Sequence, residues 1–187
     1  MIEITIQKMA SDVAALLGET LAEESHPEES PFPRLADRVR ILAPGLLAKL
    51  ILEATPDSFT GGDPITATPV PGENGSGWLK LPNDFLRLVS IRVSSWKRSV
   101  TEITSRGDPD SLRQESEWTG IRGSRTRPVV TSCFDADGNR CLWLHPFETG
   151  DMVEHALYLP MPSRDASILR LPKLLHPALL STLIAHC

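Results

Sequence analysis

Apolar positions recur at helical spacing near the start of the chain. Ile6, Met9, Val13, Leu16, Leu17 and Leu21, with Gln7, Lys8, Asp12 and Glu19 between them, predict a helix over residues 5–22. The stretch AEESHPEESPFP, residues 22–33, breaks that pattern and reads as an acidic, proline-rich loop. A second stripe, Leu35, Val39, Leu42, Leu46 and Leu50, predicts a helix from about Arg34 to Ala54 that ends before Pro56. Pro44 and Gly45 fall inside it, which predicts a kink or two short helices meeting there. Residues 55–77 are turn-rich.

The period then changes from 3.6 to 2. Trp78–Leu81 and Phe85–Val93 read as strands; in the second, Val89, Ile91 and Val93 share the face of Arg87 under strict alternation. Ser94 and Ser95 form a turn, and Trp96–Ile103 reads as the returning strand. Residues 107–116 predict a short helix with Asp108 as N-cap and Pro109 in its first position. Two strand-like runs around Asp137-Gly138 predict a hairpin. A two-residue turn there sets Cys133 and Cys141 out of register, whereas a three-residue loop would make them face one another. Asp151–Leu159 is the last predicted strand, and residues 173–187 resume a helical pattern through Leu175, Leu179, Leu183 and Ile184.

Helices, then a mainly antiparallel sheet, then a helix indicate the α+β class. The expected parts are a helical region over 1–60, a linker over 61–77, a β-rich region with one short helix over 78–165, and a C-terminal helix over 166–187 that packs back on the N-terminal helices.

Charge adds an asymmetry to this layout. The total is −5, which argues against a general nucleic-acid binder. Residues 1–60 hold ten acids and five bases, whereas residues 78–130 hold ten bases and six acids. Opposite ends of this kind attract a partner or a second copy. Three cysteines without a CxxC are expected as reduced thiols in a cytosolic setting. The N-terminal residues lack the basic and apolar regions of a signal peptide, and no apolar run approaches the roughly 18 residues of a membrane span.

Candidate chemistry is sparse. Asp135–Asn139 has oxygen ligands at alternate positions, but Gly138 is fourth where a calcium loop needs it sixth, and position twelve is Pro146; hairpin turn chemistry accounts for the same residues. The five histidines form no HExxH or HxH, and GxSxG and the Walker motif are missing. Gly120–Gly123 matches the GxxG of KH domains, yet it precedes a strand instead of joining two helices. Neither a metal nor a cofactor is expected. Trp118, Arg122, Arg125 and Arg127 form a basic, glycine-containing loop, and Arg and Trp are enriched at interface hot spots.

From WLKLPNDFLRLVSIRVSSWKR, Trp78 to Arg98, the sequence resembles head–tail adaptor (connector) proteins of tailed phages, in which a helical start is followed by an LP-x-DFLR-L entry into a strand. Arg38–Phe59 is similar to the second helix of such adaptors, and Val153–Pro162 to the strand before their last helix. The resemblance implies a non-enzymatic virion protein, present in the host cytoplasm during assembly. It would form a ring of like subunits between portal and tail proteins, through which DNA passes without sequence-specific binding. Adaptors of the group continue past the last helix with an arm that reaches the portal. This sequence stops at Cys187, so docking is expected to use other surfaces or an arm outside this stretch. Together with the basic loop, Arg87, Trp96, Lys97 and Arg98 are the candidate interface. The alternatives are a small β-rich module that binds a protein or carbohydrate, and a hydrolase assembled from distant residues such as His145, Asp151 and His155.

Overall fold

The computed structural model describes residues 1–17, 32–116, 118, 120–163 and 167–186. The chain is α+β and divides into two compact units, one of residues 1–60 with 161–187, the other of residues 61–160.

The first unit opens with strand β1 (Ile2–Thr5) and helix α1 (Ile6–Leu16). Thr5 is the N-cap: its Oγ1 accepts the Lys8 amide at 3.1 Å, which satisfies one of the unpaired donors of the first turn. Ile6, Met9, Ala10, Val13 and Ala14 are buried, as the helical period requires. The predicted continuation to residue 22 and the acidic loop after it fall in residues 18–31, outside the described residues. Helix α2 (Phe32–Glu53) runs through Pro44 as one helix and not as two. Proline removes a single backbone donor, and burial of a long apolar face offsets that loss. Among the described residues the buried positions of α2 are Leu35, Val39, Ala43, Pro44, Leu47 and Ile51. The predicted stripe is therefore displaced in its second half: Leu42, Leu46 and Leu50 are half-buried. The small side chain of Ala43 hides its position from a reading that follows bulk.

Helix α4 (His176–His186), entered through a 3-10 turn at Lys173–Leu175, packs Leu179 and Leu183 against α1 and α2. Strand β9 (Ile168–Leu171) pairs antiparallel with β1, Ile2 opposite Leu171 and Thr5 opposite Ile168. Neither strand was expected from the sequence, because four residues are too few to establish a period of two against an adjoining helix.

The second unit contains two antiparallel sheets. One is ordered β2-β8-β5, from Asp63–Pro64, Val153–Pro160 and Phe85–Val93; the other is β3-β4-β7-β6, from Val70–Pro71, Gly77–Lys80, Arg140–His145 and Val129–Phe134. Helix α3 (Pro109–Leu112) has Asp108 at its N-cap and Pro109 in its first turn, as predicted. One core draws on both sheets, with Leu79, Leu142, Leu144 and Val130 from the four-stranded sheet and Phe85, Leu88, Ile91 and Tyr158 from the other.

Strict alternation fails along β5. Register shifts between Phe85 and Arg87, between Leu88 and Ser90, and between Arg92 and Val93 let Leu88 and Val89 both be buried. The shift between Leu88 and Ser90 makes Val89 an extra residue of β5 and reverses the faces beyond it, so Val89, Ile91 and Val93 do not follow Arg87 as predicted. Trp96–Ile103 is not a strand either. It meets β5 where Val100 bridges Ile91 and where the Trp96 amide donates to Val93 O at 2.9 Å, and Lys97 gives its amide to Arg125 O at 2.7 Å.

The β6–β7 hairpin takes the three-residue loop. Asp135 N–H donates to Asn139 O at 2.9 Å, and Gly138 adopts φ +80°, a conformation costly for a residue with a Cβ. Cys133 and Cys141 therefore stand directly opposite, with the Cys133 thiol 3.3 Å from Cys141 O. Burial pushes the Cys133 thiol up to about 12 and raises Cys141 as well, so both behave as packing groups. The Asp135 carboxylate binds the Asn139 side chain at 2.8 Å and the backbone amides of Asp137 and Asn139, which holds its pKa below the usual value. The oxygens of that segment serve the turn.

Candidate interaction surface

The basic loop is built from the end of α3 and held at four points. Gln114 is buried; its Nε2 donates to Asp110 O and its Oε1 accepts the Gly123 amide, both at 2.7 Å. Arg122 donates from Nε to Ser116 O and from an Nη to Asn74 O at 3.1 Å. Arg125 places one nitrogen on both oxygens of Glu148 at 2.8 and 2.9 Å, which raises its pKa. Ser124 and Arg127 exchange backbone hydrogen bonds of 3.1 and 2.9 Å and close the tip.

Beside the loop lies a cleft of about 470 Å³. Four arginines line it, Arg98, Arg113, Arg122 and Arg127, against two acids, Glu102 and Asp110. Arg113 spends its charge on Asp110 at 2.8 Å, and Arg122 spends its donors on backbone carbonyls. Among the described residues, no side-chain hydrogen bond or ion pair engages Arg98 or Arg127. Both are exposed. Ile121 is 51% exposed, and its amide donates to the carbonyl of Trp118, which is itself 76% exposed. The exposed Arg98 and Arg127 and the exposed indole of Trp118 supply charge and flat apolar area for a macromolecular contact.

The candidate interface residues thus separate. Trp118, Arg98 and Arg127 are available; Lys97 is exposed nearby; Arg122 and Arg125 hold the loop in shape. Arg87 is half-buried, and desolvation lowers its pKa against the raising influence of Glu102. Trp96 is a correction. It is 1% exposed and donates its indole N–H to Pro146 O at 2.7 Å, so it is a core residue and no surface. Its side chain belongs to the cluster that holds Leu88, Ile91 and Phe147, and that packing removes it from the surface.

Of the residues proposed for hydrolysis, Asp151 and His155 line one cavity of about 460 Å³, and His145 is not among its lining residues. His145 is buried with Nε2 unpaired among the described residues, 4.2 Å from the Trp143 ring. Asp151 accepts from Ser94, Ser95 and the Glu148 amide. His155 Nε2 is 3.5 Å from Ser99 Oγ, the outer limit of a hydrogen bond. Among the described residues no group of three metal-ligating side chains comes together.

Gln114 sets the loop. Gln114→Leu leaves the Gly123 amide and the Asp110 carbonyl without their partner, an expected loss of about 1–3 kcal/mol. Hydrogen exchange read by mass spectrometry should accelerate over residues 120–127; unchanged protection there would show that the clamp does not order the loop. No protein-family model matches the chain, and no curated protein matches its sequence.

Proposed function

We propose that this chain is a structural subunit of a tailed-phage or prophage particle, a head–tail adaptor that joins the portal to the tail as a ring of like copies. The observation that carries the reading is the exposed surface of these loops: Trp118 is 76% exposed, and the exposed Arg98 and Arg127 on the cleft wall have no side-chain partner among the described residues. Covering a large aromatic removes apolar area from water, so an exposed tryptophan is a ready anchor for a partner. The order of parts agrees: residues 61–160 form one compact β-rich excursion between helices, and LPNDFLRL, part of the segment that carries the resemblance to adaptors, leads into its strand β5. Ring closure requires two different complementary patches on each subunit, and the opposite charge balance of residues 1–60 and 78–130 supplies candidates.

The test is co-expression with the portal and tail proteins encoded beside it, followed by electron microscopy. The expected result is ring density on the portal. Trp118→Ala should weaken that association by about 2 kcal/mol or more while changing stability by less than about 0.5 kcal/mol. A chain that binds neither portal nor tail protein overturns the reading and leaves the small binding module, which would stay monomeric.

A further inference from the structure

The cleft carries four arginines against two acids, Glu102 and Asp110, and the same sequence contains an acidic stretch that would balance the excess. Residues 18–31, GETLAEESHPEESP, include five glutamates and no lysine or arginine. No other stretch of the chain is as acidic. Around the cleft, Arg98 and Arg127 lack partners among the described residues, while Arg113 and Arg122 stand on its wall. Two cations facing one open volume repel unless an anion enters, and a carboxylate between guanidinium groups gains charge-assisted hydrogen bonds. Ile121, 51% exposed, lines the cleft, and Trp118, whose carbonyl accepts the Ile121 amide, is 76% exposed, so Pro27 or Leu21 of such a segment has apolar area to cover. Fourteen residues of extended chain reach up to about 45 Å, enough to bridge neighbouring subunits.

We infer that the cleft lined by Arg98 and Arg127 binds the glutamate-rich segment 18–31 of a second copy of this chain. The inference rests on the reading above that like subunits meet, and it names the two surfaces. The contact is head-to-tail: each copy gives its acidic segment to one neighbour and its cleft to the other. Such contacts continue until a ring closes. Exposed charge pairs of this kind weaken with salt, because the Debye length falls below the spacing of the charges.

A capped, fluorescent peptide of residues 18–31 is titrated with full-length protein in which the five glutamates are changed to glutamine, so that its own segment does not compete. The expected result is saturable anisotropy at 50 mM salt, weakened about tenfold at 300 mM and about tenfold by R98E/R127E. Tryptophan emission and melting temperature serve as folding controls. No saturation up to the millimolar range, or equal binding by R98E/R127E, overturns the inference. Mixing the five-glutamine protein with R98E/R127E distinguishes the two ways of filling the cleft. Each variant retains one half of the contact, so the mixture should give a one-to-one complex where each alone is monomeric. A mixture that stays monomeric while the peptide binds would mean that each chain fills its own cleft, and the contact between copies falls. If the peptide does not bind but the chain still assembles on the portal, the cleft assignment fails and the adaptor reading stands; the reverse pair of results removes the adaptor reading alone.

Discussion

Trp96→Ala is expected to destabilise residues 61–160 by about 3–5 kcal/mol, the usual loss for removing a fully buried large aromatic. Its indole is 1% exposed, inside the cluster that holds Leu88, Ile91 and Phe147. Stability of a domain this size is about 5–15 kcal/mol, so the variant would sit near its unfolding limit. Trp96→Phe keeps most of the packing and loses the donor to Pro146 O, for about 1 kcal/mol. All four tryptophans lie between residues 78 and 143, so urea unfolding followed by tryptophan emission reports on this unit. A loss below about 1 kcal/mol for Trp96→Ala would mean the side chain is not in the core. Set against Trp118→Ala, the experiment separates two tryptophans that the sequence alone places in the same interface.

Acid should destabilise the same unit through His145. Burial first, and the nearby Arg122 cation second, lower its pKa from 6.5 to about 4. Below pH 6.5 the unfolded chain takes up the proton while the folded chain does not, so stability falls as pH drops from 6.5 to about 4 and levels off beneath. The loss over that window is about 3 kcal/mol. His145→Gln removes the titration, and the difference in urea-unfolding free energy between wild type and variant should narrow by that amount from pH 7 to pH 4. A constant difference would show that His145 is open to protonation in the folded state. The measurement bears on the loop as well, since Arg122 braces residues 116 and 74 from the same neighbourhood.

The helices and most strands were legible because their side chains repeat. Leu35, Val39, Leu79, Leu142 and Leu144 announce their faces through period alone. The hairpin was legible through Asp137-Gly138, but not its length, which the Asp135 carboxylate sets by binding Asn139. Of the candidate interface, Trp118 and Arg127 were readable as a projecting loop. Trp96 was misplaced because the residues that cover it come from other strands. Gln114 carried no signal: a lone glutamine after a short helix looks solvated, and only its contacts with Gly123 and Asp110 give it a role.

By itself, the sequence determined the α+β class, the helical ends around a β-rich middle, and the separation of acidic and basic segments. These follow from local periodicity and composition, which need no knowledge of distant partners. The tertiary structure alone decided which arginines remain unpaired, which tryptophan is exposed, and where the β5 bulges reverse the faces. Each of those depends on contacts between residues far apart in the chain, such as Arg125 with Glu148 and Arg122 with Asn74, and no local pattern encodes such pairings.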